Sequence, residues 1–154
     1  MNVRHNRIYI ENSVVGGYYD VEFRKPTRKL FDLFREGVYI PVISDHVINE
    51  LNKGAPEQVK EVLNTIKFES YSITEEMNEL KNKYMDNNIV SSNYEDDALH
   101  IAIATVVGVD VLVSWNCRHI VNFNKIRKFN AINALLGYNS LDIRTPLEVI
   151  ENEN

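Results

Sequence analysis

Cysteine is almost missing from this chain: Cys117 is the single one among 154 residues. No intramolecular disulfide and no cysteine-based zinc cage can form, and a reducing, cytoplasmic setting is expected. Long apolar runs are missing too. None approaches the roughly 18 residues of a membrane-spanning helix, and the first ten residues lack the apolar stretch of a signal peptide, so neither a span nor a leader is expected. Glycine is scarce, and the isolated pair Gly16-Gly17 is not a Gly-rich phosphate-binding loop. No repeat, low-complexity tract or Pro/Gly/Ser-rich linker interrupts the sequence, so residues 1–154 read as one domain. A chain of this length can bury about two thirds of the surface it exposes when unfolded. An excess of positive charge is also lacking. With 17 Lys and Arg against 22 Asp and Glu, the net charge is −5, which argues against non-specific coating of DNA.

What is present is the composition of a folded domain, 44% hydrophobic and 25% charged. The charge is uneven. Residues 69–97 carry eight acids (Glu69, Glu75, Glu76, Glu79, Asp86, Glu95, Asp96, Asp97) against Lys81 and Lys83. Bases gather at Arg4, Arg7, Arg24, Lys25, Arg28 and Lys29, and again at Arg118, Lys125, Arg127 and Lys128. Each basic stretch reads either as a polyanion surface or as a solvated helix face.

Strand and helix patterns alternate. Arg7-Ile-Tyr-Ile10 reads as a buried strand, and Leu30, Phe31 and Phe34 make a helix of Thr27 to Glu36 that Gly37 ends. Val38 to Ile43 reads as a strand, in which Pro41 either weakens the pattern or marks an edge. Ser44 caps a helix through Leu51, and Pro56 opens another with Val59, Val62, Leu63 and Ile66 as its stripe. Phe68 to Ile73 alternates as a strand, and Glu75 to Tyr84 is amphipathic. After the polar loop Asp86 to Asn93, Ser92 and Glu95 have the spacing of a capping box for a helix ending at Gly108. Val111 to Trp115 is an apolar strand, a helix lies within Ile120 to Leu136, Leu141 to Arg144 is a last strand and Pro146 starts a final turn. The alternation predicts an α/β fold, a mostly parallel central sheet flanked by helices in three α/β/α layers.

In such sheets ligands bind beyond the carboxyl ends of the strands. Glu11, Asn12 and Ser13 follow the first strand; Ser44 and a helix bearing Glu50 follow the second. Asn116 follows the Val111 strand, with His119 and Asn122 at three-residue intervals, and Asp96 and Asp97 occupy the first turn of a helix. Carboxylates from three parts of the chain can meet at one sheet edge, and an all-oxygen cluster suits Mg²⁺ or Mn²⁺. Each residue also has a plain structural use. Glu50 reads equally as a solvated helical residue, Asp97 as a partner for a helix N-terminus, Glu11 as a cap and His119 as a hydrogen-bonded half-buried ring. Cys117 near His119 lacks a third member for thiol catalysis.

These residues resemble a known family. Ile8-Tyr-Ile-Glu-Asn-Ser-Val14, Ser44-Asp-His-Val-Ile-Asn-Glu-Leu51, Asp97-Ala-Leu-His-Ile-Ala102, Val113-Ser-Trp-Asn116 with His119-Ile-Val-Asn122, and Ile143-Arg-Thr-Pro-Leu-Glu148 follow the order and spacing of a PIN domain, most closely the toxin-type ribonucleases of the VapC kind. The resemblance runs nearly end to end. It implies a metal-dependent endoribonuclease in which Glu11, Glu50 and Asp97 ligate Mg²⁺ or Mn²⁺ and Asn116 completes the site. Ser13, Asp96, His119 and Asn122 would support it, and Arg118 and Lys125 would contact RNA. It also implies an antitoxin protein as partner and a homodimer. Two positions depart from the family's usual aspartates: Glu11 is one methylene longer, and Asn116 carries no charge. The departures leave open a second reading, a PIN-like module that binds RNA or protein without turnover. A phosphatase of the haloacid type or a receiver domain fits less well, because no aspartate follows the first strand.

Overall fold

The protein is described by a computed structural model that covers residues 6–151. Arg4, counted above among the basic residues, lies outside them. The first strand, β1 (Asn6–Ile10), ends in Ile8, Tyr9 and Ile10, none more than 1% exposed, because helices cover both faces of the sheet. It leads directly into a short helix, α1 (Asn12–Gly17), where the sequence shows no helical period. This helix forms because the Glu11 side chain accepts from the backbone N–H of Ser13 and so caps it. Gly17 is required by a close approach: a Cβ there would lie 2.9 Å from both Thr27 Oγ1 and Trp115 Nε1.

Helix α2 (Arg24–Arg35) begins three residues before the expected Thr27, since Pro26 is tolerated in a first turn whose N–H groups need no partner. Then come β2 (Tyr39–Ser44), α3 (Asp45–Asn52), α4 (Glu57–Val62) with a 3₁₀ turn at its end, and β3 (Glu69–Tyr71). These are followed by α5 (Glu75–Asp86), α6 (Glu95–Val107), β4 (Val111–Val113), α7 (Phe123–Leu135), β5 (Asp142–Arg144) and α8 (Pro146–Glu151). Gly108 adopts φ +78° and stops α6, as its lack of a Cβ allows. The expected capping box at Ser92 does not form. Ser92 to Tyr94 make a 3₁₀ turn instead, so Tyr94 becomes the N-cap of α6 and gives no side-chain hydrogen bond.

The five strands form one parallel sheet in the order β3-β2-β1-β4-β5. The strand carrying Pro41 is therefore inside the sheet, not at its edge. The proline fits because β3 pairs only with Val42 to Ser44, leaving β2 a partner on one side alone at Pro41. Helices α1 to α4 and α8 pack with one another, and α5, α6 and α7 form a second group, giving the three layers of the expected α/β architecture. Among the described residues, no helix is long and apolar enough to cross a membrane.

Candidate functional site

The order of the strands reverses between β1 and β4, and a parallel sheet opens a crevice at the carboxyl ends of two such strands. Glu11 leaves β1 there and is only 5% exposed. One carboxylate oxygen accepts from the Ser13 N–H at 3.1 Å and the other from the Ser13 hydroxyl. The Ser13 oxygen in turn accepts from the N–H of Trp115 at 2.9 Å, tying the end of β1 to the segment after β4. Ser114, fully buried, accepts from the N–H of Asn116.

Asp97 reaches the crevice from the first turn of α6 and lies 3.3 Å from Nδ2 of Asn116, which donates to it. Burial pushes the Asp97 carboxyl up to about 6 against the pull of His100, and the negative charges of Glu11 and Glu50 add to the rise. The three acids thus share one field, as the alternation of elements leads one to expect. Asn116 has a different engagement. Its oxygen accepts from the backbone N–H groups of Arg118 at 3.2 Å and His119 at 3.0 Å, so its amide group faces Asp97. It positions that carboxylate and closes a turn.

Glu50 comes from the last turn of α3 and is enclosed by imidazoles. Nε2 of His100 lies 2.6 Å from its Oε1, and Nε2 of His46, one helical turn earlier, lies 3.2 Å from the same oxygen. Burial pushes Glu50 up, but the hydrogen bond and charge of His100, with His46 and Lys53, outweigh it and hold the carboxyl below its ordinary value. Burial, then the charge of His100, lowers His46. Behind His100, its Nδ1 is 2.8 Å from the Tyr9 hydroxyl, which is 2.8 Å from Ser44 Oγ. Ser44 also accepts from the N–H of Val47 as the cap of α3. Burial raises the Tyr9 pKa well above its ordinary value, so its proton stays in this chain. Among the described residues, His46, Glu50 and His100 are a group whose ligand atoms lie within 4.8 Å of one another, an arrangement suited to a metal ion.

Several expected residues stand elsewhere. Asp96 faces His46 Nε2 at 3.5 Å with its side chain 69% exposed. His119 is buried against the ring of Tyr94, with centroids 3.7 Å apart, and its Nδ1 lies 3.3 Å from Lys125 Nζ. Burial, with Lys125 and Arg118 beside it, lowers its pKa. Asn122 caps α7 by accepting from the N–H of Lys125. Arg118 is exposed. Of the first basic stretch, Arg7 is paired with Glu69 at 2.7 Å, whereas Arg24, Lys25, Arg28 and Lys29 line a groove of about 640 Å³ between α2 and α8. The N-terminus of α2 adjoins the crevice: Phe23 stacks on Trp115 at 4.3 Å, and Trp115 Nε1 donates to Thr27.

Sequence reasoning missed Tyr9, His46, His100 and Ser114. The signal for two of them was available, because His46 is one turn before Glu50 and His100 is one turn after Asp96 and Asp97, placing them on shared helix faces. Tyr9, in the middle of an apolar strand, gives no such signal.

No family model matches the sequence, and no curated protein matches it. The fold, however, is similar to a chain in the crystal structure of VapBC2 from Rickettsia felis, bound to a DNA fragment from their promoter. The likeness covers 90% of this chain and 98% of that one, with a TM-score of 0.54 at 16% sequence identity. At that identity the likeness is one of fold, and it agrees with the α/β architecture that the resemblance of the sequence motifs implies.

Proposed function

We propose that this protein is an Mg²⁺- or Mn²⁺-dependent endoribonuclease, the toxin of a toxin–antitoxin pair. The observation that supports this reading is that Glu11, Glu50 and Asp97 reach one crevice from three elements, where burial first, and then the charges of Glu11 and Glu50, push the Asp97 carboxyl up to about 6. Like charges held together at such a cost form a donor set suited to a hard divalent cation. Glu11, Glu50 and Asp97 would hold the ion. Bound there, it supplies charge to offset a phosphate under attack and acidifies a water.

The chain's own residues prepare that site. Ser13 orients Glu11, Asn116 orients Asp97, and His100 keeps Glu50 ionised. Arg118, Lys125 and the cations of α2 supply positive charge for an RNA backbone. An antitoxin partner follows from the likeness to a chain of a VapBC complex, and a homodimer from the resemblance to the toxins. Purified protein is expected to cleave RNA with Mn²⁺, to lose cleavage on adding EDTA, and to fall by about a thousandfold in Asp97→Asn, the loss of several kcal/mol of charge stabilisation. Cleavage that survives both overturns the proposal.

One observation favours a second reading, a PIN-like module that binds RNA or protein without turnover. The Asn116 oxygen is occupied by two backbone N–H groups, so three carboxylates stand where the family commonly has four. That reading expects no Mn²⁺ heat and no cleavage with RNA binding retained, and cleavage gained in the double variant Glu11→Asp, Asn116→Asp.

A further inference from the structure

The residues around Glu50 are arranged for more than holding a carboxylate. His46 and Glu50 lie one turn apart on α3 and His100 meets them from α6, so two imidazole nitrogens and an oxygen converge. Nε2 of His46 is buried without any hydrogen bond, in a residue only 8% exposed, although Glu50 Oε1 is 3.2 Å away. A buried polar nitrogen without a partner calls for an explanation. His100 is anchored from behind: its Nδ1 meets the Tyr9 hydroxyl, and Tyr9 meets Ser44. Imidazoles that bind metals are oriented in this way, the far nitrogen held by a fixed hydroxyl or carbonyl, and the near nitrogen of His100, hydrogen-bonded to Glu50 at 2.6 Å, becomes a ligand once it gives up its proton.

We propose that His46, Glu50 and His100 form a site for one Zn²⁺ ion, bound through the two Nε2 atoms and a Glu50 oxygen. Two nitrogens and one oxygen suit zinc and disfavour magnesium, which prefers oxygen throughout, and zinc outranks manganese on such donors. Zinc held by three protein ligands keeps a fourth position, and Asp96, 3.5 Å from His46 Nε2, stands at its rim. Binding releases the proton that His100 and Glu50 share across 2.6 Å. The site takes Glu50 from the carboxylate cluster, but it does not rest on the nuclease reading.

The test uses the full chain without an affinity tag, stripped of metal and titrated calorimetrically with ZnCl₂, MnCl₂ or MgCl₂ alone near neutral pH. One Zn²⁺ per chain is expected, bound about 100-fold more tightly than Mn²⁺. His46→Gln should weaken zinc binding by about 100-fold, and Tyr9→Phe, which removes no ligand, by about tenfold. Zn²⁺ should also shift the His46 and His100 imidazole nitrogen resonances of the wild-type protein, a measurement that does not depend on a variant folding. Absence of zinc heat, unmoved histidine resonances, or unchanged affinity in a folded His46→Gln overturns the site. Mn²⁺-dependent cleavage without zinc binding overturns only this inference, and zinc binding without cleavage overturns only the nuclease.

Discussion

Glu50 and Asp97 are half-buried carboxylates facing the same crevice, yet their acidities move in opposite directions. Burial raises both. Glu50 escapes because an imidazole N–H of His100, its nitrogen 2.6 Å away, favours the charged form, whereas at Asp97 the pull of His100 and an amide at 3.3 Å do not outweigh burial and two negative neighbours. The partner group, more than the depth of burial, decides whether a carboxylate here is comfortably charged or strained. The segment after β4 offers a third outcome. Asn116 and Asn122 spend their oxygens on nearby backbone N–H groups, so polar residues at a strand end serve the local chain as readily as a ligand.

The comparison breaks most visibly at His100. His100→Ala removes the hydrogen bond to Glu50, strands the Tyr9 hydroxyl on Ser44 alone and empties a site that is 1% exposed. A loss of about 3 kcal/mol is expected in urea unfolding, and the Glu50 carboxyl should titrate higher by NMR, as burial is no longer opposed.

A pH series sharpens it. The folded Asp97 carboxyl is raised from 3.8 to about 6, so its contribution to stability is fully present below its unfolded pKa and lost as pH rises through 6. Glu50, whose folded pKa is lowered, contributes in the opposite sense: its share is present above its ordinary value and lost as pH falls through the folded one. Metal-free protein should therefore gain stability between pH 7 and 5, and Asp97→Asn should remove that slope. At pH 7 the variant should be more stable by about 2 kcal/mol once solvent screening is allowed for. A flat profile in the wild-type protein would show that Asp97 is not strained.

The smallest effect is expected at Asn122. Loss of the α7 cap in Asn122→Ala should cost about 1 kcal/mol in thermal or urea unfolding, opposite in sign to Asp97→Asn.

Most of the fold was legible because alternating strand and helix patterns with glycine stops are local signals. Gly108 ends its helix as expected, while α1 escaped notice because its cap is the same Glu11 that reads as a ligand. At the site, Glu11, Glu50 and Asp97 stood out because strand ends in a parallel sheet gather side chains at one edge. His46 and His100 carried a fainter trace, a shared helix face, and were passed over because nothing in a one-dimensional pattern says that α3 and α6 face each other.

The sequence by itself determined the alternation of strands and helices, apart from α1, and the parallel sheet that follows from it, since periodicity and capping act over a few residues. Only the tertiary structure decided the partners: Asn116 turned toward backbone, His119 stacked on Tyr94, and Glu50 set between two histidines. Hydrogen bonds and charge effects depend on distances of a few ångströms between residues as far apart as Glu50 and His100, and those distances exist only once the sheet has closed the chain upon itself.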